Sequence, residues 1–406
     1  MNSIVFLGTN KSGSSYEGIR AAKRLGYETI LFTNRTIFVE EKEDYTEIDE
    51  VVLINMLDTD EILLTINDLL VEGKKVDCFI SFLDEYIYLA ALLSNVLCNT
   101  PLTYEPLKIM TDKIQTRRFL SGKHYSPYYR VLSSPDTLEQ DINELNDKFP
   151  LIIKSPQSNG SKDVILVKNI LECRKGVKQL QRKNPEFPIL VEEYLEGPQY
   201  LVEVVVYDST ITIAALVEQE VTKGERFIIT GYSICPDLAA EQLPGLKETV
   251  FAIIEDFELR NGTCHLEIKL TNNGWKLIEI NPRMAGGAMN RMIEEAFGYS
   301  LAEQTIRLFA GMQPELIKKR DTAIYTHYLI VKSVGILLKV SGCDTAKEQA
   351  GIIEVYTKAE NGQLLTPPRS MGQRYGYVIA AADSIHQAKK CAINGAQHIQ
   401  FYLQPV

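Results

Sequence analysis

The seven cysteines are dispersed over 406 residues, odd in number and never arranged as Cys-x-x-Cys, so neither a disulfide framework nor a structural zinc site is expected. No Gly-x-Ser-x-Gly elbow, His-Glu-x-x-His pair or dedicated cysteine nucleophile occurs, and a covalent enzyme intermediate is not suggested. No stretch of eighteen apolar residues exists, and the opening Met-Asn-Ser-Ile-Val-Phe-Leu-Gly enters a strand pattern without a basic segment. A cytoplasmic protein without a membrane span is expected. Basic residues are in the minority, 43 Lys and Arg against 53 Asp and Glu, and the resulting net charge of -10 argues against a nucleic-acid partner. Gly8, Gly13 and Gly18 lack the dinucleotide-binding spacing, and Thr33-Asn34-Arg35 stands where an acidic residue would close the second strand. They read as structural glycines in a loop that borders a substrate.

What is present is ordinary in bulk, with 45% apolar and 24% charged residues, and long enough for two or three domains. Strand and helix patterns alternate from residue 4 to residue 97, which implies an α/β unit with a parallel sheet over residues 1–110. Asp84 and Glu85 follow one of its strands, where open sheets bind ligands, although acids there also suit a helix dipole. Thr111 or Asp112 caps the next helix, and Lys113 in its first turn opposes the dipole, as a lysine facing an anion would. Lys154 lies inside an apolar strand ahead of the small polar loop 155–161, which is suited to wrapping phosphates. A strand over 189–195 offers Glu192, Glu193 and the backbone through Leu195 to a purine edge, with edge-strand glutamates serving solubility as the other local explanation. From about residue 320 the pattern reads as a compact α+β closing segment.

The stretch 264–290 carries the most chemistry. His265, Glu267 and Lys269 alternate with Leu266, Ile268 and Leu270 before Asn272-Asn273-Gly274 turns the chain. A three-residue loop with Gly274 left-handed pairs Leu266 with Ile280 and Ile268 with Ile278, and puts Glu267 directly opposite Glu279, with Asn281 on the same face. Like charges directly opposite destabilise a sheet. A divalent cation removes the conflict, and two carboxylates with an amide suit Mg²⁺ or Mn²⁺. Solvated surface glutamates are the simpler alternative. Arg283 follows at the mouth of the loop Met284-Ala285-Gly286-Gly287, placed to meet developing negative charge.

In this order the elements resemble the ATP-grasp superfamily over nearly the whole chain, and most of all bacterial L-amino-acid ligases, the dipeptide-forming enzymes of the bacilysin and rhizocticin type. The resemblance implies an α/β ATP-grasp fold with ATP as co-substrate, residues 111–190 as a lid and residues 191–406 as a catalytic part. Lys113 and Lys154 then contact its phosphates, the loop with Ser158, Gly160 and Ser161 covers them, and Glu192, Glu193, Tyr194 and Leu195 hold adenine. Glu267, Glu279 and Asn281 hold two Mg²⁺. Gln199 departs from the acidic residue that many relatives use toward ribose. Biotin carboxylases share the Glu, Glu, Asn and Arg spacing but carry a catalytic glutamate where this chain has Gly287, so Gly286 and Gly287 are expected to floor a small-substrate site. Two amino acids joined through an acyl phosphate follow from the resemblance, with Arg283 stabilising the oxyanion and Glu220, His265 and Asp84 as further substrate contacts. The alternatives are a non-amino-acid acceptor such as a polyamine, a biotin-carboxylase-like enzyme, and a nucleotide-binding module without catalysis. A homodimer is the usual assembly of such enzymes.

Overall fold

The computed structural model describes residues 2–406 apart from 134–135, 158–159, 161, 186–187, 223–226, 235–237 and 239–240. Its first sheet is parallel, in the order Glu50–Leu53, Glu28–Thr33, Asn2–Leu7, Lys75–Ile80. Residues 4–7 and 30–32 are buried on both faces, as near-continuous apolar strands under helices must be. Gly18 lies on the helix Ser14–Arg24 where an added Cβ would meet the Phe82 ring at 2.2 Å, so close helix-to-sheet packing explains this glycine. That agrees with the structural reading of the glycine-rich turn.

A small antiparallel sheet follows, in the order Tyr129–Leu132, Ile189–Glu193, Leu151–Lys154, Val164–Val167, backed by the helix Ile170–Lys183. It packs around its own apolar cluster, which includes Leu151, Ile153, Val177 and Val191. Such a separate core lets a lid move as a unit.

The third sheet positions the chemistry. Eight strands run in the order Gly274–Asn281, Gly262–Thr271, Gln199–Tyr207, Thr210–Val221, Ile229–Ile234, Ala323–Leu329, Gly376–Ala382, Ile352–Thr357. The segment after residue 320 therefore continues the catalytic sheet. A three-stranded sheet, Leu364–Leu365, Gly335–Ser341 and Gln400–Gln404, and the helix Ile385–Gln397 complete it. The helix Gln242–Asp256 buries Leu246, Val250 and Ile253, with Phe257 at its end, as its four–three–four spacing requires. Among the elements not read from the sequence are the helix Ile170–Lys183, the strands Tyr129–Leu132, Ile229–Ile234 and Gln400–Gln404, and the helix Leu301–Phe309, although the last starts at a Ser300 cap that accepts from the Glu303 amide. No helix among the described residues is long and apolar enough to cross a membrane.

The hairpin keeps its expected carboxylate register but reaches it differently. Glu267 faces Glu279, Leu266 faces Ile280 and His265 faces Asn281, yet Ile268 pairs with Leu277 and not with Ile278. Asn272 and Asn273 form the turn, Gly274 is left-handed at φ 87°, and the one-residue shift comes from a bulge between the two halves. The bulge turns Ile278 from the buried face into the cleft, and its carbonyl accepts from Arg117 at 2.5 Å. Trp275, Leu277 and Ile280 supply the buried side instead.

Candidate active site

Glu267 and Glu279 lie on the floor of a cleft between the eight-stranded sheet and the lid, their tips partly open to solvent. Burial and the facing Glu279 push the Glu267 carboxyl up to about 7. Burial opposes ionisation of Glu279 too, but Lys113, whose Nζ is 3.5 Å from its Oε1, and Lys154 outweigh it and hold that carboxyl below its ordinary value. The pair is thus a carboxylate facing a carboxyl that resists ionising, and a cation between them would favour both in the ionised form. The donor set is two carboxylates and the Asn281 amide, not three acidic groups, and among the described residues no cluster of three or more metal-binding His, Cys, Asp or Glu exists. An all-oxygen set of this size fits Mg²⁺, which takes its remaining ligands from phosphate and water.

Lys113 opens the helix Lys113–Phe119, and the cap is Asp112, whose Oδ1 accepts from the amides of Ile114 and Gln115 at 2.8 and 3.0 Å. The cap satisfies the helix, which leaves Lys113 to the cleft. Lys154 ends its lid strand 6% exposed, with Nζ 2.6 Å from Glu192 Oε2. Glu192 also accepts from Arg117 Nε at 2.6 Å. Burial lowers Lys154, whereas Glu192, despite burial, is held ionised by Arg117 and Lys154. Glu192 is therefore not a purine contact: strand alternation turns it inward to the two cations. Arg117 is the cation that sequence reasoning missed; it sits inside a helix, 75 residues from its partner.

Expected adenine contacts are partly engaged. The Glu193 carboxylate accepts from the Tyr128 amide at 3.1 Å, and the amides of Glu193 and Tyr194 donate to the carbonyls of Tyr128 and Pro150. Lys269 donates to the Leu195 carbonyl at 2.9 Å and lies over the Tyr194 ring. Ile152, Tyr194, Leu195, Phe227 and Ile278 line an apolar slot beside the lysines. Gln199 bonds Gln219 at 2.7 Å and reaches Glu267 at 3.4 Å, so in this structure it supports the carboxylate floor. Gly160 is left-handed at φ 65° and its carbonyl accepts from the Met371 amide; Ser158 and Ser161 lie outside the described residues.

Arg283 is held at the other end of the cleft. Its Nε and one terminal nitrogen donate to Asp84 at 2.6 and 3.0 Å, a two-point pair across 199 residues. Asp84 thus does more than serve a helix dipole, since the helix begins only at Ile87. His265 is buried, with Nδ1 2.9 Å from the Arg283 carbonyl and Nε2 3.3 Å from the Asn281 amide nitrogen. Nδ1 then carries the proton, Nε2 accepts from Asn281, and the Asn281 oxygen is turned the other way. Burial and Arg283 push this imidazole down to about 4. It positions neighbours instead of meeting substrate. Glu220 is not in the cleft at all: it points to the opposite face, where it binds the Tyr325 hydroxyl at 2.6 Å and Lys389 at 2.7 Å. Gln219, its neighbour, is the residue that faces inward.

The loop after Arg283 is fastened from both sides. Glu203 accepts from the Ala285 amide at 2.8 Å and the Ser14 hydroxyl donates to the Ala285 carbonyl. Burial pushes Glu203 up to about 8. A glutamate inside the apolar run 201–206 was the signal available for it. Gly287 is left-handed at φ 70° and its amide comes within 3.4 Å of where a Cβ on Gly13 would stand, while a Cβ on Gly286 would meet nothing within 4 Å. The loop thus lies against the first parallel-sheet turn with no side chain to fill the space.

Three family models match the chain in succession: an ATP-grasp N-terminal domain over 19–98, an ATP-grasp domain over 147–291, and L-amino acid ligase C-terminal domain 2 over 327–404. Carnosine synthase 1 of Homo sapiens is 26% identical over 60% of this chain and 32% of its own. The L-arginine-specific L-amino acid ligase of Bacillus subtilis is 21% identical over 57% of this chain and 58% of its own. The chain thus spans about a third to three fifths of the length of these curated relatives. The crystal structure of an L-amino acid ligase from Bacillus licheniformis superposes with a TM-score of 0.82 at 16% identity, covering 100% of this chain and 99% of that one. Matched in this order along the chain, the three domains make it a member of the ATP-grasp superfamily that resembles the L-amino acid ligases.

Proposed function

We propose that the chain is an ATP-dependent ligase that joins two L-amino acids through an aminoacyl phosphate and releases ADP and phosphate. The observation that carries it is the carboxylate pair beneath Lys113 and Lys154, next to an arginine-bearing loop that offers no carboxylate of its own.

Glu267, Glu279 and Asn281 would hold Mg²⁺, whose contribution is to neutralise phosphate charge. Lys113 and Lys154 neutralise the γ-phosphoryl group as a substrate carboxylate oxygen attacks it in line; the bond to the ADP oxygen breaks and ADP leaves with the electron pair. The amine of the second substrate then attacks the acyl carbon, a C–N bond forms, the C–O bond to phosphate breaks, and the amine loses a proton. Arg283, aimed by Asp84 and by the His265 contact to its carbonyl, stabilises the oxyanion of that step. The lid excludes water from the acyl phosphate. Gly287 supports ligation over carboxylation, because no carboxylate stands there to act as a base.

The test is a pairwise amino-acid screen for ADP release with product masses, followed by oxygen-18 transfer from a labelled substrate carboxylate to phosphate. ADP release that ignores every amino acid, or phosphate that carries none of the label, would count against this function. A dead nucleotide-binding module would bind ATP and release nothing.

A further inference from the structure

A cavity of about 650 Å³ opens on the far side of the Gly287 loop, between it, the turn 11–13 and the closing part of the eight-stranded sheet. Its wall is rich in cations, and most are paired. Arg20 binds Glu47, Arg24 binds Glu17 and Glu303, and Arg291 binds Glu295 and Glu354. Arg374 differs. Its guanidinium carbon lies 3.8 Å from the centroid of the Tyr328 ring, one nitrogen donates to the Ile229 carbonyl at 3.4 Å, and no ion pair to it exists among the described residues. Lys358 is near enough that Arg374, after burial, helps lower its pKa.

Tyr328 supplies the independent observation. It is 4% exposed, and its hydroxyl has no hydrogen-bond partner among the described residues. A buried donor left unmade is costly, and an anion lying against Arg374 would accept from both groups. The hydroxyl sits 3.7 Å from where a Cβ on Gly287 would stand, so the absent side chain at 287 leaves this spot open toward the reaction centre.

Tyr232 lies between the two places. Its ring packs edge-on to Tyr328 with centroids 5.5 Å apart, and Arg374 is near enough to work against the rise that burial gives its phenol. Gln219 accepts from Gln199, which reaches Glu267. Arg374 lines this cavity together with Gly287 and Ala288.

We propose that Arg374, assisted by the Tyr328 hydroxyl, binds the α-carboxylate of the amine-donating amino acid. This rests on the ligase reading above. Two carboxylates enter such a reaction and only one is to be phosphorylated. The one that reacts must lie against Lys113 and Glu279, so the other needs a cation away from the γ-phosphate. Arg374, across the Gly287 loop from Arg283, is that cation.

The experiment uses the full chain with Mg²⁺ and a non-hydrolysable ATP analogue. Titration calorimetry compares each of the twenty L-amino acids and, for those that bind, their carboxamides, on the wild type and on Arg374→Gln, Arg374→Lys and Tyr328→Phe. The wild type should bind at least one amino acid roughly 30-fold or more tighter than its carboxamide. In Arg374→Gln that ratio should fall to within about threefold, through weaker binding of the acid and not of the amide, while Arg374→Lys and Tyr328→Phe retain part of it. The KM for ATP in ADP release should stay within about twofold. A wild-type ratio retained in Arg374→Gln overturns the proposal, and so does a wild type that ignores the amide substitution. Should Arg374→Gln fail to fold, the ratios in Arg374→Lys and Tyr328→Phe decide. Binding with the expected ratio but no ADP release would sink the ligase reading and leave the carboxylate site standing. No binding of any amino acid would sink both.

Discussion

Two clusters of charge face each other across the cleft and are built on opposite rules. On the lid side, Glu192 takes two cations, Arg117 and Lys154, at 2.6 Å each, and all three side chains are almost wholly buried. On the sheet side, Glu267 and Glu279 oppose each other, with Lys113 3.5 Å from Glu279. The first cluster pairs a carboxylate with opposite charges and the second sets like groups against each other. The difference lies in what each asks of a ligand: the lid cluster is balanced in sign before anything binds, whereas the sheet pair invites a cation.

Variants can break this comparison at either end, and the largest effect belongs to the sheet. Glu279→Gln removes the ionised member and the Lys113 pair, and amino-acid-dependent ADP release should fall by about a thousandfold or more, roughly 4 kcal/mol in barrier. Steady-state kinetics at saturating Mg²⁺ measures it, and unchanged turnover would remove the metal assignment. On the lid, Glu192→Gln leaves two buried cations uncompensated and should cost about 3–5 kcal/mol of stability, read by denaturant unfolding. If Glu192 were a purine contact instead, KM for ATP would move and stability would not.

Asp84→Asn leaves Arg283 without its two-point partner, and kcat should drop about 10- to 100-fold with little change in KM for ATP. Glu203 has a pH signature. Its folded pKa of about 8 lies above the ordinary carboxyl value, so the unfolded chain ionises first and stability declines as pH rises from about 4.5 through 8. Glu203→Gln should therefore match the wild type near pH 4.5 and exceed its Tm by about 2 °C or more at pH 8.5. Finally, Glu220→Gln should leave kcat/KM within about twofold, because its carboxylate lies on the other face of the sheet. A tenfold loss there would overturn the placement.

The sequence carried the parts of the site that follow local rules. Lys113 behind an Asp112 cap, Lys154 inside an apolar strand, and Glu267 opposite Glu279 were all legible because helix capping and strand alternation fix where side chains point. The contacts that failed to show are long-range or depend on one residue of register. Arg117 and Glu192, Asp84 and Arg283, and Glu203 and Ala285 meet only after sheets stack, and nothing in their local sequence pairs them. The hairpin bulge moved Ile278 into the cleft and Leu277 into the core, a change that a period-two pattern admits without revealing. Glu220, expected as a substrate contact without a register to place it, points away from the cleft, and the inward residue is its neighbour Gln219. The glycine-rich turn was read correctly for the same reason that Glu220 was not: close packing at Gly18 is a demand of its own helix, whereas the face of a long strand depends on its neighbours.

The continuous eight-stranded sheet has a further consequence, which is one of length. Between the strand that carries Glu267 and the strand that carries Tyr232 there are three interstrand steps, about 14 Å at about 4.8 Å each. Two extended amino-acid residues span about 7 Å, which leaves room for a phosphoryl group at one end and an arginine contact at the other. A third residue would use up that allowance. Under the proposed reaction, with one carboxylate anchored near each end, the width of the sheet would set the size of the product.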